Sequence, residues 1–189
     1  IFPMGLERQA RRVANTVHYL NKYHNRSIGE RYKKIDIVLQ NQTLVSNGYV
    51  GLAPYRSEFY TSPPQDVSVV GGNWMDILAI HEYRHVQQFS NARVGLTKFA
   101  YWIGGQLGWS TLSQLSIPNW FWEGDAVVYE TALSSQGRGR MPAFYNGFRS
   151  LAASDRRYSY QKARNGSLKD FVPNHYRLGY LLSAYGRNQ

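Results

Sequence analysis

The sequence predicts an α+β fold, and three observations carry that reading. An apolar stripe at helical spacing opens the chain, short strand-like runs follow it, and capped amphipathic segments fill the remainder. Helix and strand segregate along the chain instead of alternating, which argues against a parallel α/β sheet. With 189 residues the chain has the length of about one domain. It is read as a single unit over 1–189, with a sheet-containing lobe over about 1–95 and a helical lobe over about 96–189.

Leu6, Ala10, Val13, Val17 and Leu20 recur at alternating spacings of four and three, so one face of a helix over about 5–24 is apolar. Residues 35–39 (Ile-Asp-Ile-Val-Leu) read as a short strand, and 48–52 and 57–60 as two more, interrupted at Pro54 and closed by Pro63-Pro64. A proline within such a run places it at a sheet edge. Asn73, with Asp76 three residues on, has the form of a capping box and opens a helix over about 74–91. Trp74, Ile77, Leu78, His81, His85 and Gln88 share one side of it. Pro118-Asn119 starts a further helix to about Leu133, Phe144, Phe148 and Leu151 suggest another, and Asn174 caps a last one running to about Gly186. Residues 99–122 carry no charge and are long enough to cross a bilayer. Gly104, Gly105, Gln106, Gly108, Gln114 and Pro118 argue instead for a buried or lid-like connection.

A composition of 43% hydrophobic, 15% aromatic and 18% charged residues excludes a disordered chain, collagen and a coiled coil. The lack of cysteine excludes disulfides and thiolate metal sites and leaves the compartment open. The opening Ile1-Phe2-Pro3-Met4 is expected of a processed chain or of a piece of a longer one. Of the net charge of +10, residues 137–189 carry +8, from ten basic side chains against Asp155 and Asp170. Such a face attracts anions, so an anionic surface is a candidate partner. No recognition-helix, zinc-finger or RNP-type pattern accompanies the charge, so no specific nucleic-acid motif is present.

The chemistry sits in His81-Glu82-Tyr83-Arg84-His85. Residues four apart on a helix project from the same face, so this HExxH pattern lets both imidazoles bind one metal ion while Glu82 flanks the water. Two imidazoles and a carboxylate suit zinc, one per chain, and Glu82 is placed to act as general base. Glu123, set among Trp120, Phe121 and Trp122, is the best third ligand, because a carboxylate among aromatic rings needs a cationic partner. Asp125 and Glu130 compete for the role, and Glu130, two turns on, is better suited to orient a ligand histidine. Arg138 and Arg140 either line a solvated turn or grip a substrate carboxylate.

Three segments resemble a known group. They are the paired histidines at 81 and 85, the Trp-x-x-Glu-Gly-x-Ala form at 120–126, and Tyr176-Arg177-Leu178-Gly179, which looks like a Tyr-x-Lys-Gly signature. In that order they resemble the gluzincin zinc metallopeptidases, and among them the catalytic domain of the aminopeptidase N family. The resemblance implies a zincin-like (thermolysin/aminopeptidase-type) fold in which a small mixed sheet lies over the zinc helix and a helical lobe follows. It makes His81, His85 and Glu123 the ligands, Glu82 the base and Tyr176 the hydroxyl that stabilises the oxyanion, with His175 and Tyr180 as alternatives for that last task. A peptide or protein is the implied substrate. Glu58 lies roughly where the family captures a free amino terminus, but Tyr55-Arg56-Ser57-Glu58-Phe59 lacks that signature, so exo and endo cleavage both stay open. The chain is also similar to zincin-like domains of bacterial exported proteins that precede a β-propeller. That likeness implies a periplasmic or cell-surface location, and a further domain C-terminal to residue 189 that the basic half would face. The alternative function is a peptide- or glycan-binding module that keeps the scaffold without catalysis.

Overall fold

The computed structural model describes residues 1–25, 27–65 and 72–189. Helix α1 (Glu7–His24) forms where its apolar stripe predicts and lies along α2 (Trp74–Ala92). Leu6 and Val13 join Leu78 and Ala79 in one apolar cluster, and Leu20 meets Ile80 and Tyr83 in a second. Asn73 caps α2 as expected, its side-chain oxygen accepting the Met75 N–H. The expected capping box is incomplete. Asp76 turns to α1, where Arg12 Nε donates to it at 2.7 Å, so the carboxylate ties two helices together while still favouring the α2 dipole.

The sheet has three strands, β1 (Ile37–Gln40), β2 (Gly48–Leu52) and β3 (Tyr55–Tyr60), in the order β1-β3-β2. β1 runs parallel to β3 and β2 antiparallel to it, so the small mixed sheet expected from the sequence is present. Leu39 and Phe59 point at Leu78 and Ala79, which seats the sheet on α2. The expected edge over residues 48–60 is corrected. Of the two strands in that stretch β2 lies on an edge and β3 is central between β1 and β2, because Pro54 sits in the link between β2 and β3, where its missing N–H removes no ladder hydrogen bond.

The uncharged connection is also corrected, for most of it is α3 (Gly95–Ser116). It is two helical segments that break at Gly105 (φ 58°, ψ −143°), a conformation open to a residue without Cβ, and the second turns back so that Gly108 lies against the Ala100 carbonyl. Trp109 and Ser113 are its buried side chains, and Gln106 Oε1 accepts the Tyr55 N–H at 3.1 Å. Among the described residues no helix is long and apolar enough to cross a membrane.

α4 (Asn119–Leu133) and α7 (His175–Arg187) close the fold, with two short 3-10 turns, α5 (Asn146–Ala153) and α6 (Tyr160–Asn165) between them. The turns cover Arg138–Arg140 and Pro142–Tyr145, and α6 was not anticipated. Asn174 caps α7 by accepting the Arg177 N–H. α4 and α7 cross where Gly124 meets Gly179. A Cβ on Gly179 would lie 1.9 Å from the Trp120 carbonyl oxygen, which is backbone and cannot swing aside. Gly179→Ala is therefore expected to force the helices apart and destabilise the chain by about 1–3 kcal/mol. Thermal melting checks this, and an unchanged midpoint would refute the crossing.

Candidate metal centre

α2 turns His81 and His85 to one side, and α4, packed across it, brings Glu123 to both. His81 Nε2 and His85 Nε2 are 3.2 Å apart, and Glu123 Oε2 lies 3.1 Å from the first and 3.4 Å from the second. A tetrahedral ion bonded at about 2.0–2.1 Å separates its ligand atoms by about 3.3–3.4 Å, so this triangle has the size of one face of such a site.

The far side of each ring is also engaged. His81 Nδ1 is 2.9 Å from Glu130 Oε2, and His85 Nδ1 is 2.8 Å from Gln88 Oε1. Protons on the two Nδ1 atoms donate to those oxygens and leave both Nε2 lone pairs facing one point. Two lone pairs and a carboxylate turned toward one another repel unless a metal ion or a shared proton lies between them. The donor set therefore fits a divalent metal ion.

Each outer partner is itself anchored. Glu130 is fully buried and accepts hydrogen bonds from the Arg138 backbone N–H at 3.1 Å, from Nε at 2.7 Å and from Nη2 at 2.8 Å. Arg138 Nη2 also lies 2.8 Å from His81 Nδ1. Gln88 Nε2 donates to Asp125 Oδ2 at 2.8 Å and to the Trp122 carbonyl at 3.0 Å. Asp125 is held in turn by Arg84 Nε at 2.6 Å and by Arg187.

With the metal-free chain in view, burial and the Arg138 charge both oppose protonation of His81, but hydrogen bonds to Glu123 and Glu130 prevail and hold it up to about 9. Burial also favours a neutral Glu123, yet the His85 charge and hydrogen bonds from both rings keep it well below the usual carboxylate range. Burial likewise opposes charge on Glu130, and the Arg138 guanidinium overrides it, down to about 2. Glu82 differs. Burial raises its pKa against the pull of both histidines, and Oε2 has no hydrogen-bond partner among the described residues.

Glu82 faces a cleft. A cavity of about 310 Å³ is lined by Gly48, His81, Glu82 and Tyr176, and a neighbouring one of about 160 Å³ adds Tyr49, Val50 and Glu123. The Tyr176 ring centroid is 6.3 Å from that of His81 and 5.0 Å from Arg138 Cζ, and burial pushes its phenol pKa up.

The fold brings His81, Glu82, His85, Glu123, Glu130 and Tyr176 together, and it corrects the other expectations. Asp125 is no competing ligand, because Arg84, Gln88 and Arg187 occupy its oxygens. Arg138 does not reach for substrate but pairs with Glu130. Arg140 Nε turns to the carbonyls of Thr131 and Ser134. Glu58 accepts from Arg56 and Gln40 on the central strand and lines neither cavity. His175 lines a separate pocket beside Trp120 and Arg164, and Tyr180 packs on Phe144 and Tyr145. Gln88 and Arg84 were missed as site residues. Gln88 stands one turn beyond His85 on the ligand side of α2, and that spacing was the available signal. Comparison with protein-family models, with curated proteins and with solved structures finds no match to this chain.

Proposed function

We propose that the chain is a zinc metallopeptidase of the gluzincin type on a zincin-like fold, hydrolysing the amide bond of a peptide laid in the cleft. The convergence of His81 Nε2, His85 Nε2 and Glu123 Oε2 beside the buried Glu82, whose Oε2 has no hydrogen-bond partner among the described residues, carries the reading. Zinc held there would supply a Lewis acid that polarises a carbonyl and brings water's pKa toward about 7. Glu82 takes the proton from the attacking water and returns it to the departing amine, leaving a carboxylic acid and an amine as products. Tyr176, on the opposite wall, donates its phenol hydrogen to the oxygen that becomes negative. The free edge of β2 offers backbone N–H and C=O groups with which an extended peptide can pair alongside Gly48.

Metal analysis of the purified chain tests the proposal, together with cleavage of a peptide library before and after chelation. About one zinc per chain is expected, with cleavage lost to the chelator and restored by zinc. Glu123→Ala is expected to retain clearly less zinc, because it removes one of three ligands. A parent that takes up no metal, or one that holds zinc and binds peptides without cleaving any, would overturn the reading.

A further inference from the structure

We infer that the first segment of α3, before the break at Gly105, is a docking helix that lies in the plane of an anionic phospholipid surface. On this segment Leu96, Phe99, Trp102 and Ile103 are large apolar side chains without cover, with Trp102 81% exposed, and Leu107 and Leu115 are exposed beyond the break. Phe99, Trp102 and Ile103 fall within about one turn, as one contiguous face requires. A face of this kind on one helix marks an interaction site and is not ordinary scattered exposure.

Charge chooses the partner. No acidic residue occurs between Glu82 and Glu123. Lys98 is exposed in the first turn of α3, and Arg93 precedes the helix with its guanidinium 4.6 Å from the Tyr101 ring. Arg31 donates to the Arg93 carbonyl, and Lys33 Nζ lies 5.1 Å from the Trp109 ring. None of these four cations belongs to an ion pair among the described residues. Trp and Phe rings seat at the acyl boundary of a bilayer, and the exposed Lys98, one turn before Trp102, meets anionic headgroups with the nearby cations adding to the local positive charge. Broken at Gly105, the first segment of α3 is too short to cross a bilayer, and among the described residues no helix is long and apolar enough to do so, so the segment lies on the membrane. Ser113, in the segment after Gly105, lines the cleft, so docking would hold the cleft close to the lipid surface.

Co-sedimentation of the full chain with vesicles tests this, comparing phosphatidylcholine alone with phosphatidylcholine containing phosphatidylglycerol. Binding is expected to the anionic vesicles, to weaken as salt rises, and to fall roughly tenfold in Trp102→Glu/Ile103→Glu. Lys98→Glu alone is expected to lower it about fivefold or more. All these positions are exposed, and circular dichroism of each variant checks that it folds. Absence of binding to anionic vesicles, or binding that the double variant leaves unchanged, would overturn the inference. So would a dimer of the parent that the double variant dissolves while vesicles bind neither.

Discussion

Glu82→Gln is expected to lower kcat for peptide hydrolysis by about 10²–10⁴-fold while the zinc content stays at that of the parent. The amide keeps the shape of the carboxylate, so cleft and ligands are undisturbed, and it has no lone pair basic enough to take a proton from water. An ordinary buried carboxylate would be missed as a hydrogen-bond acceptor, but Glu82 Oε2 has no partner to lose among the described residues. Burial opposes its charge and raises its pKa against the pull of both histidines. The variant is therefore expected to melt no lower than the parent, since it removes a poorly solvated charge. Loss of turnover together with an unchanged or higher melting temperature separates a base from a structural residue. Retained turnover would refute the role of Glu82, and the pair of histidines would then need a different function.

Glu130→Ala should be the most damaging substitution for stability. It leaves the Arg138 guanidinium, whose side chain is only 14% exposed, without the carboxylate that receives two of its N–H groups, and the Arg138 backbone N–H without its acceptor. Breaking such a buried pair from one side costs about 3–5 kcal/mol, because the remaining charge keeps its desolvation penalty. For a chain of this length the melting midpoint should fall by about 10 °C. The same substitution frees His81 Nδ1 and should weaken metal affinity by about 10–100-fold. Melting of the chelated protein reads the first effect, and metal competition reads the second. Adding Arg138→Met should recover much of the stability without the affinity, since an apolar pair no longer needs the charge but still cannot orient the ring. A chelated Glu130→Ala protein that melts with the parent would show that the pair contributes nothing to the fold.

The parts of the site legible in the sequence were those set by spacing along one helix. His81 and His85 are four apart, Glu82 stands between them, and any α-helix through these residues places both rings together. Glu123 was legible for a different reason, since a carboxylate among three aromatic residues is hard to explain without a cation. Glu130 was read as the residue behind a histidine because it lies two turns beyond Glu123, and it does contact His81 Nδ1. Arg138 was misread because nothing in a basic, glycine-containing turn tells that it folds back onto the preceding helix. Asp125, one residue from a good candidate, resembled a ligand in composition and differs from one only in where α4 directs it.

Fold boundaries followed the same division. The apolar stripe of α1 and the caps at Asn73 and Asn174 are local signals, and all three elements begin within a few residues of the predicted place. Residues 99–122 misled because glycine and serine lower helix propensity, while packing of Trp109 and Ser113 against the body of the protein stabilises a helix there regardless. Local chemistry by itself determined the α+β class, the paired imidazoles and the adjacent carboxylate, since each depends on residues within a few positions of one another. Only tertiary structure decided that β3 is central, that Arg138 neutralises Glu130, and that Asp125 anchors Gln88. Those contacts join residues far apart in sequence, and their geometry is set by how α2, α4 and α7 cross, down to the two glycines that let α4 and α7 touch.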